Sequence, residues 1–300
     1  MTFYKFLTLF LILFSLTLSA DPLRVVTTTT TLASIAKEIG GTYVSVTPLV
    51  DGNQDLHYVT PRPSMIRDLQ NADLLISVGM SLDAWLAGLR VVAKNKILFD
   101  GKPGYLDASL TIDRLDIPTV RIDFGMGDIH IEGNPHYYLD PLNAIKVAKA
   151  ITERLCRINP QNAAYFQSNL LQFSAEIHAA MPVWISQLDA ISGYQLITYH
   201  TTWRYFAKQF NLTVIGQLEP KPGIPPTAKH LLLLKKVIDR SPKVMIIQAN
   251  FHPTRPAQSL ASGTSVSIVI LPTEVSHKTG QRYIDFMSAM VKSVSEAGNL

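Results

Sequence analysis

Short apolar runs rich in β-branched residues alternate with helical patterns along the chain after residue 20, and this alternation limits the fold most strongly. Leu23–Thr27, residues 44–49 and residues 74–78 have the composition of strands, and stretches of helical periodicity separate them. One such helix is predicted to begin at Pro61, with Thr60 as its cap. Strands separated by helices form parallel sheets with right-handed crossovers. The first half of the chain is therefore predicted to be an α/β unit.

The second half shows the same alternation, and a long helical segment separates the halves. Residues 162–188 carry apolar side chains every three or four positions, with no break before Pro182. This segment is either an ordinary long surface helix or a rigid strut between two lobes. We predict an α/β fold of two lobes with parallel sheets flanked by helices, joined by one long connecting helix. The predicted division is an export signal (1–20), a first lobe (21–160), the connecting helix (161–190) and a second lobe (191–300).

Residues 1–20 have the organisation of an export signal. Lys5 gives a short basic start, residues 6–18 are almost wholly apolar, and Leu18-Ser19-Ala20 supplies small residues before a cleavage point at Asp21. The apolar stretch is too short to cross a bilayer, which takes about 20 residues. No cysteine lies near the cleavage point to carry a lipid. We therefore expect a periplasmic protein that is secreted through a cleaved signal and has no membrane anchor.

Composition and motifs argue against several classes of function. The formal net charge is +4 at pH 7 and no basic run is interleaved with aromatic residues, so nucleic acid is a poor candidate partner. The single cysteine, Cys156, rules out an intrachain disulfide and any CxxC site. The motifs HExxH, GxSxG, GxGxxG and the P-loop are all missing. The sequence therefore gives no support to the common hydrolases and nucleotide-dependent enzymes.

Three of the eight histidines lie at the edges of predicted loops. His57 follows the second strand, His136 lies in a proline-flanked turn before a helix, and His200 ends the first strand of the second half. Ligands of open α/β sheets bind at such strand ends, and a neutral imidazole offers one lone pair that suits zinc, copper, nickel or iron. Each histidine taken alone is more simply explained as structural. Three of them spread over both halves indicate a metal site in the cleft between the lobes.

Several stretches around these histidines resemble the zinc/manganese solute-binding subunits of bacterial ABC importers. The matching segments are residues 25–39, 55–76 (DLHYVTPRPSMIRDLQNADLLI), 134–148 (NPHYYLDPLNAIKVA) and 198–212 (TYHTTWRYFAKQFNL), with 219–227 and 246–261 matching in outline. The segments run through most of the chain in the same order. The resemblance implies two α/β lobes, one long connecting helix and a metal ion buried between the lobes. By position in the matching segments, the resemblance implies that His57 and His136 are metal ligands from the first lobe and that His200 is a metal ligand from the second lobe.

The sequence departs from this family at the fourth ligand. The family usually supplies an aspartate in a Leu-Asp-Pro-like turn after the last strand, whereas residues 269–272 read Val-Ile-Leu-Pro. Glu274 is our leading substitute, because a carboxylate near three neutral imidazoles would offset the charge of the ion. His252 and a water molecule are the alternatives. Asp128 and His130 are either surface-loop residues or further ligands.

We predict that the protein is not an enzyme. It is expected to capture a divalent transition metal as its transported ligand and to deliver it to an ABC permease in the inner membrane. We expect it to act as a monomer. Three histidines favour zinc, whereas manganese prefers more oxygen ligands, so zinc is expected first and manganese second. One alternative is a periplasmic zinc hydrolase, since three histidines with an open position also form catalytic sites. The other is a binder of an organic chelate, on which aromatic residues such as Tyr58 and Trp203 would stack.

Overall fold

The computed structural model describes residues 21–52, 54–119, 127–241 and 243–298. The predicted export signal, residues 1–20, therefore lies outside the described residues. Within the described ranges, no helix combines the length and apolar character needed to cross a membrane.

A parallel four-stranded sheet forms the first lobe. Its strands are β1 (Leu23–Thr27), β2 (Val44–Pro48), β3 (Leu74–Ser77) and β4 (Tyr105–Asp107), in the spatial order β2-β1-β3-β4. Its helices are α1 (Thr30–Gly40), α2 (Pro63–Gln70), α3 (Leu86–Ala93) and α4 (Pro141–Ile158). Every residue of β3 is buried, as is typical of an inner strand of a parallel sheet with both faces covered.

One helix of 27 residues, α5 (Ala163–Asp189), follows the first lobe. At 1.5 Å per residue it is about 40 Å long. Its buried side chains recur every three, four or seven positions and are Phe166, Phe173, Ile177, Met181, Trp184 and Leu188. It packs against α1 and α4 of the first lobe. The long connecting helix predicted over residues 162–188 is therefore confirmed.

A second parallel four-stranded sheet forms the second lobe. Its strands are β5 (Gln195–Thr198), β6 (Thr213–Gln217), β7 (Val244–Ala249) and β8 (Ser267–Leu271), in the spatial order β6-β5-β7-β8. Its helices are α6 (Arg204–Gln209), α7 (Ala228–Ile238), α8 (Arg255–Ala261) and α9 (Tyr283–Gly298). The predicted fold class, two parallel α/β lobes with a connecting helix, is confirmed.

The second lobe is bonded directly to the first through the start of α9. The hydroxyl of Tyr283 donates a hydrogen bond to the carbonyl of Tyr138 across 2.8 Å, and both side chains are fully buried. The neighbouring Arg282 forms an ion pair of 2.7 Å with Glu38 of α1. The ion pair is partly exposed and contributes little by itself. The buried hydrogen bond and the packing of α9 on α5 hold the two lobes together.

One local prediction was wrong, and one short strand was missed. Helix α2 begins at Pro63 rather than Pro61, because the residue before a proline is driven out of the helical region and Arg62 accordingly has extended angles of −122° and 147°. Thr60 therefore lies before the helix and does not cap it. The sequence also gave no sign of β4, since three residues are too few to show a periodic pattern.

Candidate metal site

Three imidazole rings from different parts of the chain meet between the lobes. One ligand nitrogen from each of His57, His136 and His200 lies within 4.8 Å of the other two. The ring centroids form a nearly equilateral triangle with sides of 5.5, 5.2 and 5.6 Å. Two nitrogens bound to one zinc ion at 2.0–2.1 Å lie about 3.3 Å apart, so small side-chain movements bring the three nitrogens onto one ion. We call these three residues the inner cluster.

The orientation of His57 is fixed by a carboxylate two residues before it. His57 lies in the loop between β2 and α2, and its ring Nδ1 is 2.7 Å from Oδ1 of Asp55. The same oxygen accepts the backbone N–H of His57 at 3.0 Å. Burial raises the pKa of Asp55, but its hydrogen bonds with His57 outweigh that effect and leave the pKa below its ordinary value. A charged carboxylate only accepts hydrogen bonds, so Nδ1 of His57 carries the hydrogen and Nε2 carries the lone pair.

His200 has the same arrangement with a carboxylate from the neighbouring strand. It follows β5, and its Nδ1 lies 2.8 Å from Oε2 of Glu219, which follows β6. That oxygen also accepts the backbone N–H of Gly223 at 3.0 Å, so Glu219 is itself held in place. Both side chains are largely buried, with exposed fractions of 7% for His200 and 11% for Glu219. Nε2 of His200 therefore carries the lone pair, with the hydroxyl of Thr201 at 3.3 Å, and is the nitrogen that can bind a metal ion.

His136 is the most buried member of the inner cluster. It precedes a short 3-10 turn (Tyr137–Leu139) that leads into α4, and its backbone N–H donates to the side chain of Asn134 at 3.0 Å. Its Nδ1 is 3.4 Å from the hydroxyl of Tyr138. Its Nε2 is buried and has no hydrogen-bond partner among the described residues. Burial, followed by the nearby His57 and His200 rings, lowers the pKa of His136 well below its ordinary value, so the ring stays neutral.

An unpartnered buried nitrogen and two carboxylate-held rings together form a candidate cation site. Burying a polar atom without a partner costs about 1–3 kcal/mol, and a metal ion bound to Nε2 of His136 removes that cost. In metal sites the other ring nitrogen of a ligating histidine usually donates to a carboxylate, a carbonyl or a water. Nδ1 of His57 and Nδ1 of His200 follow this rule, since each lies beside a carboxylate oxygen. The inner cluster is thus arranged to offer three Nε2 lone pairs.

The cavity around the inner cluster is small. It encloses about 90 Å³, and its walls include Tyr58, Thr202 and His252 besides the cluster itself. Binding sites for organic ligands usually enclose about 300–1,000 Å³. The cavity therefore has room for one ion with one or a few water molecules.

His252 lines this cavity but does not present a lone pair from Nε2. Its Nδ1 accepts the backbone N–H of Ala249 at 3.2 Å, which leaves the hydrogen of the neutral ring on Nε2. The ring stacks on Tyr199 with centroids 4.0 Å apart. Burial, followed by the charge of a protonated His200, lowers the pKa of His252 to about 4. His252 therefore serves as a wall of the cavity and as an N–H donor.

Glu274 does not join the inner cluster within the part of the chain that the structure describes. Its Oε2 accepts the backbone N–H of Thr31 at 2.8 Å, in the first turn of α1, where a helix favours negative charge. Burial raises the pKa of Glu274, and its contacts with Thr31 and Tyr138 oppose that rise only in part. Because Tyr138 also contacts Nδ1 of His136, Glu274 lies behind the inner cluster. The geometry does not support the prediction that Glu274 is the fourth ligand.

The position of Glu274 gives a testable expectation. Replacing Glu274 with glutamine keeps an oxygen that can accept from Thr31, removes the charge and replaces the second oxygen with an NH2 group. We expect the zinc affinity to fall less than about tenfold, below the 10- to 100-fold that partners bonded directly to a ligand usually contribute. Isothermal titration of the metal-free variant measures this. A loss as large as that caused by His136→Ala would show that Glu274 binds the ion.

A second group of ligand atoms shares His57 with the inner cluster. One ligand atom each from His57, Asp128 and His130 lies within 4.8 Å of the others, and Nε2 of His57 is 3.0 Å from Nε2 of His130. Burial, followed by the charge of a protonated His57, lowers the pKa of His130 to about 4. We call His57, Asp128 and His130 the outer cluster. It brings together the two loop residues for which the sequence left a metal role open.

The residues that orient the histidines were missed by sequence reasoning. The role of Asp55 could have been predicted from the sequence, since an aspartate two residues before a histidine can accept both the backbone N–H and the ring N–H of that histidine. The role of Glu219 could not have been predicted in this way, because Glu219 is 19 residues from His200. The two meet because β5 and β6 pair in parallel, which places the residues after each strand side by side. The backbone N–H of Glu219 accordingly donates to the carbonyl of Tyr199 at 3.1 Å.

Comparison with known proteins gives consistent results. A family model described as zinc-uptake complex component A, periplasmic, matches residues 25–297. The high-affinity zinc uptake system protein ZnuA of Bacillus subtilis (strain 168) is 24% identical over 285 residues, covering 92% of this chain and 88% of that protein. The protein of the same name from Yersinia pestis is 26% identical over 256 residues, covering 81% and 80%. A crystal structure of ZnuA superimposes with a TM-score of 0.78 at 20% identity, covering 93% of this chain and all of that one. At this identity the structural likeness shows the fold.

Proposed function

Because this chain belongs to the family of periplasmic zinc-uptake complex component A, we propose that it captures a divalent transition metal at the inner cluster and delivers it to an ABC importer. The single observation that carries the proposal is the meeting of one ligand nitrogen from each of His57, His136 and His200, from both lobes, in one small cavity. We also propose that residues 1–20 are a cleaved signal, that the mature protein has no anchor, and that it acts as a monomer. The division into lobes at 21–160 and 191–300 remains part of this proposal.

The transported ion is proposed to be zinc, with manganese weaker. Nitrogen ligands favour zinc, whereas manganese prefers more oxygen ligands, and the inner cluster supplies only imidazole nitrogen. Two of the relatives are named for high-affinity zinc uptake. Isothermal titration of the metal-free protein with each ion is the test. We expect zinc to bind more tightly, and tighter binding of manganese would reject the assignment.

The two alternatives lose support from the geometry of the site. A zinc hydrolase needs a general base at the ion, and the only candidate that the sequence offered was Glu274, whose carboxylate is bound to the start of α1. An organic chelate needs a larger space than the cavity of about 90 Å³. Metal capture needs neither, so it is the function that we retain.

Release of the ion is proposed to depend on a small movement between the lobes. His57 and His136 belong to the first lobe, whereas His200 and its partner Glu219 belong to the second. Because the ligand bonds to zinc are short, a shift of about 1 Å between the lobes would loosen the ion. The buried bond of 2.8 Å between Tyr283 and Tyr138 argues against a wide opening. Docking on the permease would supply the shift.

Zinc affinity is expected to fall as the pH falls. Protons compete with zinc for imidazole lone pairs, whose pKa is ordinarily about 6.5. Burial holds the pKa of His136 well below that value, so protonation of this ligand contributes least to the competition. If protons compete for the other two ligands, the affinity should fall by about 100-fold per pH unit at most. Titrations between about pH 7 and pH 5 measure the slope. Affinity that rises or stays constant as the pH falls would contradict the proposed ligands.

A further inference from the structure

The positive charge of the chain is concentrated in one part of the second lobe. Residues 220–273 contain seven basic residues and a single acidic one, so this stretch has a formal charge of +6, whereas the whole chain has +4. The basic residues are Lys221, Lys229, Lys235, Lys236, Arg240, Lys243 and Arg255. The rest of the chain is therefore slightly acidic. A charge imbalance of this kind indicates a surface that binds something negatively charged.

Helix α7 carries part of this charge on its exposed side. Lys229 and Lys236 are seven residues apart, which is nearly two helical turns, so they lie on the same side of the helix. Both are exposed, as is Arg240, which lies just beyond the end of the helix. None of the three forms an ion pair with another residue that the structure describes. The acidic residue of the stretch, Asp239, is exposed beside them and offsets only one charge.

Two leucines are exposed on the same side of α7. Leu232 and Leu233 have exposed fractions of 64% and 53% and lie between Lys229 and Lys236 in the sequence. The opposite side of the helix is buried against the second lobe. A single exposed leucine is common on protein surfaces. Two adjacent ones beside unpaired basic side chains form a surface that is both apolar and positively charged.

The composition of this surface suits a lipid bilayer better than a protein partner. Helices that lie at a membrane surface combine leucine with lysine or arginine, whose long stems let the charge reach the headgroups. The centres of protein interfaces are instead enriched in aromatic residues and methionine and depleted of lysine. Helix α7 contains four leucines and three lysines but no phenylalanine, tyrosine, tryptophan or methionine. Its exposed side therefore complements anionic headgroups and the acyl chains below them.

We propose that Lys229, Leu232, Leu233 and Lys236 of α7, together with Arg240, bind reversibly to the anionic phospholipid surface of a membrane. The leucines enter the boundary between headgroups and acyl chains, and the basic side chains contact phosphate groups. The contact is weak because only two leucines are inserted and each basic residue contributes about fivefold in affinity. Such a contact keeps the protein near a permease in the same membrane. It does not involve the inner cluster, so it can fail while the proposed function stands.

Co-sedimentation of residues 21–300, the mature protein proposed above, with phospholipid vesicles tests this contact. We expect binding to vesicles of phosphatidylglycerol mixed with phosphatidylcholine and much weaker binding to phosphatidylcholine alone. Lys229→Gln combined with Lys236→Gln should weaken binding about 25-fold, which is about fivefold for each charge. The matched control combines Lys149→Gln with Lys208→Gln, which removes two exposed lysines from α4 and α6. It should change binding by less than about twofold, because distant charges are screened by salt.

The leucines are tested in the same assay. Leu232→Ser combined with Leu233→Ser should weaken vesicle binding about tenfold, which is about threefold for each partly inserted side chain. Leu171→Ser on α5, where the leucine is 72% exposed, is the matched control and should leave vesicle binding unchanged. Circular dichroism checks that each variant folds. Zinc titration of each variant should give the wild-type affinity, because α7 contributes no residue to the inner cluster.

Three results would overturn the proposal. These are the lack of binding to vesicles that contain phosphatidylglycerol, equal binding to phosphatidylcholine alone, and an equal loss of binding in the control that lacks Lys149 and Lys208. Light scattering over a concentration series then identifies the occupant. A dimer that Leu232→Ser with Leu233→Ser dissociates would show that a second copy covers α7, and a monomer throughout would leave a different protein as the partner. Wild-type zinc affinity alongside any of these results would leave the proposed function intact.

Discussion

Replacing His200 with alanine is expected to weaken zinc binding by about 100-fold or more. Zinc sites formed by four protein ligands bind the ion with a free energy of about 10–16 kcal/mol. Each ligand therefore accounts for roughly 3 kcal/mol, which corresponds to about 150-fold in the dissociation constant. His200 is the member of the inner cluster that comes from the second lobe, and it is one of the three proposed ligands. Its loss leaves the ion attached to the first lobe alone. Isothermal titration of the metal-free variant with zinc measures the effect.

Two controls make this result specific. His178→Ala removes an exposed histidine from α5 and should leave the zinc affinity unchanged. The triple variant without His57, His136 and His200 should bind no zinc at the concentrations that saturate the wild type. Thermal unfolding of each metal-free variant separates loss of the site from loss of the fold. Zinc binding by the triple variant at wild-type affinity would show that the ion is held elsewhere.

The second large effect is expected from the carboxylates behind the histidines. Glu219→Gln keeps an oxygen that can accept from His200 and Gly223 but removes the negative charge that favours the N–H form of Nδ1. Partners of this kind usually contribute 10- to 100-fold in metal affinity, so about a tenfold loss is expected for Glu219→Gln. Asp55→Asn should act in the same way on His57. The two changes together should cost about 100-fold or more, because they act on different ligands.

The matched control for these variants is Glu296→Gln, an exposed glutamate that pairs with Lys292 on α9. It changes the net charge by the same amount without touching the site, and it should leave the zinc affinity within about twofold, as expected for an exposed ion pair. If Glu219→Gln and Glu296→Gln weaken zinc binding equally, the effect is one of overall charge and the positioning role of Glu219 is wrong.

The sequence predicted the architecture well because the fold depends on patterns that extend over many residues. The apolar run of β3 and the periodic apolar side chains of α5 can be recognised in the sequence alone, and both elements are present in the structure. Features that depend on only one or two residues were harder to predict from the sequence. The predicted start of α2 was wrong because Pro63 restricts the backbone angles of Arg62. Strand β4 was missed because it has only three residues.

The site was predicted in part, for an equally physical reason. His57, His136 and His200 lie at strand ends or in turns, where ligand-binding residues are expected, and the structure brings them together. Glu274 was chosen by its place in the sequence after the last strand. In the structure its carboxylate is directed to the first turn of α1 instead. Which of two nearby groups a carboxylate contacts depends on side-chain geometry, and no sequence pattern contains that information.

The most direct test of a metal held by three imidazoles is X-ray absorption at the zinc edge of the protein loaded with one equivalent of zinc. We expect the spectrum to show three imidazole nitrogens at about 2.0–2.1 Å from the ion, and to lose one of them in His136→Ala. A spectrum that shows fewer than three imidazoles, or that is unchanged by His136→Ala, would contradict the inner cluster as the site where the ion is held.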